Sequence, residues 1–260
     1  MRKGVDKQLV CRRFGRVLHT YRRSAVMQGR MADELVALLR RSGLPGHAGR
    51  VLEVGCGSGI LTGALLSEFS AGSYFANDLV AESSDFVWQV VRQHDVGEYL
   101  FLHGDIETIG DLPSDLDLVV SNATVQWFND IGGFVDRMAA CLRPGGLLAF
   151  STFSTANMRE ITHLEKISLS YSTPEELADF AGGLFDIVTV REELKRIEFA
   201  SPEEVLLHIR QTGVNGVDGR SWTRERYRHF LHRYRASFSS GNGVYLTYHP
   251  VYCCFRRKAR

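Results

Sequence analysis

The chain of 260 residues has no apolar run long enough to cross a bilayer, and no continuous apolar stretch of signal-peptide length in its basic start, MRKGVDKQLVCRRFGRVLHTY. Those absences predict a soluble, cytoplasmic protein with no membrane partner. Cysteine is scarce: Cys11, Cys56, Cys141, Cys253 and Cys254 form no C-x-x-C pair, so neither a disulfide framework nor a zinc site is indicated. The histidines include His229 and His232 at helical spacing, without the acid and third ligand of a metal site, so a solvated helix face is expected there and no metal. Repeats and low-complexity tracts are absent. What remains is an ordinary mixture, 44% hydrophobic and 23% charged, which fits one α/β domain over residues 1–260 with an elaboration and an ample core.

Net charge is also nearly absent, at +1, but its distribution is uneven. Residues 1–50 carry twelve Lys/Arg against three Asp/Glu, residues 219–260 ten against one, and the middle nine against twenty-six, giving +9, +9 and −17. If the two basic ends meet around one entrance, the expected partner is polyanionic. As separate solvated helix faces they need none.

The most informative segment is VLEVGCGSG at 51–59, an apolar strand with Glu53 near its end, followed by Gly55, Gly57 and Gly59 at alternate positions. A dinucleotide fingerprint places its third glycine one residue later, where Ile60 stands here. A carboxylate just before the turn repels phosphate and attracts an ammonium group, directly or through water. The loop therefore suits a cationic amino-acid tail. A second strand, 73–77, ends on Asp78 with Leu79 beside it, at the distance where a carboxylate receives two ribose hydroxyls. A third strand, 98–102, precedes His103-Gly104-Asp105-Ile106-Glu107, and a fourth, 116–121, runs into Asn122-Ala123-Thr124-Val125-Gln126-Trp127.

Around this core, apolar spacing predicts helices at 7–19 and 22–41, stopped by Gly43 and Pro45, then helices from 58, at 84–93 and at 132–141 alternating with the strands. Leu142-Arg143-Pro144-Gly145-Gly146 turns into a fifth strand at 147–152. Thr173-Pro174-Glu175-Glu176 opens a helix at 174–180 with a capping pattern. A long sixth strand is expected over 184–199 and a last strand over 244–255, bulged near His249 and Pro250 because proline removes a ladder donor. Two helices, 202–210 and 223–234, fill the interval between them.

The glycine loop and the acids after it resemble the motifs of class I S-adenosylmethionine-dependent methyltransferases. That resemblance implies a Rossmann-like seven-stranded sheet with an antiparallel last strand, N-terminal helices over 1–45, a cofactor-binding core over 46–200, a helical lid inserted between strands six and seven over 201–240, and a last strand with a basic tail over 241–260. It implies S-adenosyl-L-methionine as cofactor, held by Glu53, Gly55, Gly57, Gly59, Asp78, Leu79, Asp105, Ile106 and Asn122. Asp105 and Ile106 would meet the adenine.

The ends of the chain narrow the resemblance. FGRVLHTYRRSAVMQGRMA (14–32), SNATVQWFND (121–130), FSTF (150–153), RQTGVNG (210–216) and VYLTYHPVYCCF (244–255) together resemble the malonyl-acyl-carrier-protein O-methyltransferases of biotin synthesis, over nearly the whole chain. Arg22 stands where that family has an aspartate after the N-terminal tyrosine, and Pro250 follows LTYH. The implied reaction is methylation of the free carboxylate of malonyl-acyl carrier protein, or of malonyl-coenzyme A, which starts a pimeloyl chain. A carboxylate needs no general base, so Tyr21 and Arg210 are the catalytic candidates, one capping the pocket and one gripping the carboxylate with its guanidinium fork. Trp127, Tyr248 and His249 are candidates for the substrate pocket, and His249 has a structural hydrogen-bonding alternative. Arg12, Arg16, Arg224 and Arg228 are candidates for meeting the acidic carrier. Rival readings are a carboxyl methyltransferase of a small free acid, an RNA methyltransferase using the basic rim, and a protein that binds the cofactor as a signal. No N/D-P-P-Y/F/W motif follows the fourth strand, and no nucleic-acid partner is expected.

Overall fold

A computed structural model of the chain describes residues 4–166, 169–212 and 223–259. Two helices come first, α1 (Lys7–Ser24) and α2 (Val26–Arg41), followed by β1 (His47–Val54), α3 (Ile60–Leu66), β2 (Ser70–Asp78), α4 (Ser83–Val91), β3 (Val96–His103), β4 (Leu116–Asn122), α5 (Ile131–Cys141) and β5 (Leu142–Phe153). Then come α6 (Arg159–Glu165), α7 (Pro174–Asp179), β6 (Phe185–Glu192), β7 (Lys195–Phe199), α8 (Pro202–Gln211), α9 (Arg224–Ser237), β8 (Ser239–Ser240), β9 (Gly243–Tyr248) and β10 (Pro250–Arg257). The main sheet has seven strands in the order β3-β2-β1-β4-β5-β10-β6. Its β1–β5 pairs are parallel, and β10 lies antiparallel between β5 and β6. This is the expected seven-stranded sheet with its antiparallel final strand.

The central strands β4, β5 and β10 carry nearly continuous buried runs because both faces of the sheet are covered there. Alternate residues divide between two cores: Val51, Leu118, Val120, Leu147, Ala149, Tyr252 and Cys254 pack with α2 and α3, whereas Leu52, Val119, Leu148, Phe150, Cys253 and Phe255 pack with α5. The period of two sorts the side chains, and helices seal either face.

Two expected strands are each broken in two. The run expected over 184–199 divides at Glu193-Leu194 into β6 and β7, and the run over 244–255 divides at His249 into β9 and β10. β7, β9 and β8 form a separate antiparallel sheet. Pro250 is the first residue of β10, where a missing N–H breaks no ladder, so the chain changes sheets at the point where a bulge was expected. A register shift does occur in β10, at Cys254/Phe255. The corner is pinned from the side, since Ser154 N–H donates to His249 O (2.9 Å) and His249 N–H to Asn157 Oδ1 (3.3 Å).

The capping box at Thr173 and Glu176 is present at the start of α7. Helix α6 was not anticipated. It is only seven residues long, and it rests on the second sheet through buried Glu160, which accepts from Thr247 N–H and Oγ1–H (3.0 and 2.5 Å). Among the described residues no helix is long and apolar enough to cross a membrane.

Candidate active site

The carboxyl ends of β3, β2, β1 and β4 stand side by side, and the loops leaving them line one compartment. Its floor is the glycine loop, with Gly55, Gly57 and Gly59 at φ of +71°, +49° and +74°, backbone that L side chains rarely adopt. A Cβ on Gly55 would lie 2.3 Å from Thr124 Oγ1, whereas at Gly57 it would meet nothing within 4 Å. Gly55 is therefore needed for close packing under the loop, and Gly57 turns its bare side to open space. The loop is tied to β2: Gly55 and Cys56 N–H donate to Asn77 O (2.8 and 3.0 Å), and Gly57 N–H donates to Asp78 Oδ2 (2.7 Å).

Glu53 lies almost wholly buried beneath this turn. Its Oε2 accepts from Thr62 Oγ1–H (2.6 Å) and Tyr74 O–H (2.5 Å), while Oε1 is buried with no partner. Burial pushes its carboxyl up to about 7, more than those two hydrogen bonds pull it down. A cation brought to Oε1 would reverse that balance. Asp78 accepts from Gly57 and Val80 N–H on different oxygens (2.7 and 2.8 Å), leaving further lone pairs toward the compartment it lines. Its carboxyl too is held above the ordinary range, by burial first.

Lys7, at the first turn of α1, contacts both acids after β3: its Nζ is 3.2 Å from Asp105 Oδ1 and 2.5 Å from Glu107 Oε2, over the Phe128 ring. Ile106 is buried beside them. Asn122 lines the opposite end, donating to Gln28 O (2.9 Å) and accepting from Ser151 O–H (2.5 Å). Helix α1 roofs the compartment, with Cys11 Sγ–H donating to Leu79 O (3.4 Å) and Phe14 set edge-on to both Tyr21 and Trp127.

Of the expected cofactor residues, all but Gly59 line this compartment. Gly59 instead caps α3 in left-handed backbone. The donor set fits a ligand with a cationic tail and hydroxyls: buried Oε1 of Glu53, Oε1 of Gln28 and Oγ of Ser58 all lack partners, and all three residues line the space.

A second compartment adjoins the first through a shared wall of Phe14, Tyr21, Gln28, Ala123 and Trp127. Tyr248 lines it from β9, Tyr171 and Asn157 from the irregular segments beside α6, and Thr212 from the end of α8. No Asp, Glu, His, Lys or Arg is among its described lining residues. Tyr248 O–H meets His208 Nε2 at 2.6 Å, and burial holds that imidazole below its ordinary range, neutral near pH 7. Burial also raises the Tyr21 and Tyr248 phenols, keeping both protonated.

Two expected residues stand elsewhere. Arg210 is exposed in the last turn of α8, where its charge answers the helix dipole, and lines neither compartment. His249 lies at the sheet corner, accepting from Ala156 N–H on Nδ1 (3.1 Å) and bonded to Glu192 Oε2 through Nε2 (2.7 Å), also outside both linings. The glycine-rich stretch after Thr212, residues 213–216, lies outside the described residues. Conversely, Lys7, Gln28, Asn157 and Tyr171 line the two compartments and were not anticipated, nor was His208, which holds the Tyr248 hydroxyl from outside them. Gln28 sits inside the 14–32 segment already singled out, but Asn157 and Tyr171 occupy segments with no periodicity to mark them.

Comparison with known proteins agrees with this architecture. A family model described as a methyltransferase domain matches residues 52–150. The chain is 49% identical to the malonyl-(acyl-carrier protein) O-methyltransferase of Prosthecochloris aestuarii, covering 97% of this chain and 94% of that one. It is 47% identical to the protein of the same name from Chlorobium phaeovibrioides, covering 97% of each. Among solved structures, the YcgJ protein of Bacillus subtilis superposes with a TM-score of 0.62 at 13% identity, covering 87% of this chain and 98% of that one. The N-methyltransferase NodS of Bradyrhizobium japonicum, solved with S-adenosyl-L-homocysteine, has a TM-score of 0.51 at 15% identity, covering 88% and 86%. At those identities the two structures speak to the fold alone.

Proposed function

The chain belongs to the malonyl-(acyl-carrier protein) O-methyltransferase family, and from that membership we propose that it transfers a methyl group from S-adenosylmethionine to the free carboxylate of a malonyl thioester on acyl carrier protein, for the pimeloyl chain of biotin. The observation that carries the acceptor assignment is the neutral second compartment, with no acid, histidine or cation among its described lining residues. A hydroxyl or ammonium acceptor needs a base to remove its proton. A carboxylate, with a reference pKa near 4, arrives ionised and needs none.

Bound in the first compartment, S-adenosylmethionine supplies the electrophilic methyl group. Glu53 receives its ammonium directly or through water, Asp78 its ribose hydroxyls, and Asp105 with Ile106 its adenine, while Leu79 and Asn122 close the space around it. Tyr21 and Trp127, in the wall shared by the two compartments, direct the acceptor toward the methyl. One carboxylate oxygen forms the new O–C bond as the C–S bond breaks, and the bonding pair leaves with sulfur. Two opposite charges disappear together, so a dry, low-dielectric wall favours the step more than water does. Holding the reacting atoms in line adds several kcal/mol, on the order of what proximity contributes elsewhere.

The acidic carrier would meet Arg12 and Arg16 on α1 and Arg224 and Arg228 on α9, all exposed and in no ion pair among the described residues. The decisive experiment is transfer of label from radiolabelled S-adenosylmethionine to malonyl-acyl carrier protein, run beside acetyl carrier protein, malonyl-coenzyme A, free malonate and bulk RNA. Label on malonyl carrier protein with none on the acetyl form is expected. Label confined to free malonate or to RNA overturns the assignment.

A further inference from the structure

We infer that Tyr171 donates its phenolic proton to the malonyl carboxylate and that Asn157 is the positioning residue that leaves this proton free. The inference rests on the acceptor assignment above, and it comes from the direction of two hydrogen bonds. Asn157 is buried, and its Oδ1 accepts from His249 N–H at 3.3 Å. A backbone N–H can only donate, so the amide's oxygen is fixed on that side and its nitrogen on the other. That nitrogen, Nδ2, then donates to Tyr171 Oη at 2.9 Å. The phenol oxygen is thus already an acceptor, and its own proton has no acceptor among the described residues.

Tyr171 lines the second compartment, and burial pushes its phenol up to about 12, so it carries that proton throughout the physiological range. In a compartment with no cation among its described lining residues, an entering carboxylate is the acceptor this hydroxyl lacks. A neutral donor also suits the chemistry. A guanidinium pairing would bind the anion tightly and lower its nucleophilicity, whereas one phenol orients an oxygen and leaves its partner free to attack. The sheet corner at His249 thereby acquires a second role, because the backbone N–H freed by the break between β9 and β10 is what orients Asn157.

The kinetic signature follows from the reaction. The carboxylate loses charge as the ester forms, so a hydrogen bond to it is no stronger in the transition state than before, and removing it acts on binding. Tyr171→Phe should raise KM for malonyl-acyl carrier protein about tenfold, the size of one hydrogen bond to a charged group, with kcat changed by less than about twofold. Inhibition by acetyl carrier protein, which lacks the carboxylate, and cofactor affinity by calorimetry should both stay at wild-type values. Asn157→Ala should raise KM about threefold alone and add nothing in the Tyr171→Phe background, since the two would act through one proton.

An unchanged KM in Tyr171→Phe overturns the inference, as does a matching loss of affinity for acetyl carrier protein, which marks a packing contact. Additive effects in the cycle overturn the role of Asn157. If Asn157→Ala fails to fold, Tyr171→Phe, which removes a single oxygen, still decides the donor. Failure of the wild-type chain to label malonyl carrier protein would sink the acceptor assignment itself, an outcome separate from any of these.

Discussion

The two compartments share a wall but are built on opposite plans. The cofactor side is drawn largely from one stretch of chain, 53–128, with its acids at the ends of adjacent parallel strands and its loop tied down by backbone donors. The acceptor side collects residues from 14 to 248, takes its polar groups from side chains, and leans on a second sheet that exists only because two strands break. Parallel strands whose carboxyl ends lie together make a crevice wherever they occur. The acceptor pocket has no such geometric guarantee. As the proposed acceptor pocket, it is where substrate choice would vary without disturbing cofactor binding.

The sharpest test of that division is Gly55→Ala. With φ at +71° and Thr124 Oγ1 2.3 Å from the added carbon, the loop must move, and cofactor affinity should fall more than about a hundredfold by calorimetry. Retention within tenfold would show that Thr124 can yield and that the loop is less rigid than its hydrogen bonds suggest. Asp78→Ala should be nearly as severe, at least about thirtyfold, because it removes an acceptor for the Gly57 and Val80 amides together with the proposed ribose ligand. If instead its main effect is on KM for the malonyl carrier, the two compartments are coupled and the comparison fails.

Glu53 gives a pH test. Its carboxyl stands at about 7 instead of 4.5, chiefly through burial, so the folded protein holds this proton more tightly than the unfolded chain. Stability of the free protein should therefore decline as pH rises from near 4.5 through about 7. The cofactor's ammonium favours the ionised form, so its affinity should rise over the same window, up to about tenfold per unit below the folded pKa. Glu53→Gln should flatten both slopes, and a persistent slope would move the titration to another group.

On the acceptor side, Arg224→Glu with Arg228→Glu should raise KM several-fold for the carrier-bound substrate at low salt and leave malonyl-coenzyme A less affected, as rim charges act mainly on encounter. The smallest effect is expected from Arg210→Ala. Exposed and outside both linings, it should change KM by less than about twofold. A large loss there would restore the guanidinium as carboxylate anchor and overturn the neutral-pocket mechanism.

The same contrast explains what could be read from the sequence. Glu53, Asp78 and Asp105 were legible because strand, turn and helix periods fix where a residue just past each strand must stand. Trp127 was reachable through its place just after the fourth strand, and Tyr248 through the resemblance near the end of the chain. Arg210 and His249 were drawn toward the pocket because they neighbour residues that do line it, Thr212 and Tyr248. Proximity in sequence says nothing of which way a side chain points on a helix or at a corner. Lys7 carried no signal at all, being a single lysine at the start of an arginine-rich helical segment.

By itself, then, the sequence determined the doubly covered sheet, the glycine loop, the strand-end acids and the family, since each is a local pattern with a fixed geometric consequence. Only the tertiary structure decided that the two long strands would each change sheets, that the acceptor pocket would be neutral among its described residues, and that Asn157 would be oriented by the His249 amide. Those outcomes depend on contacts between residues far apart in the chain, such as the 3.3 Å bond from residue 249 back to 157. No local propensity encodes a partner 92 positions away.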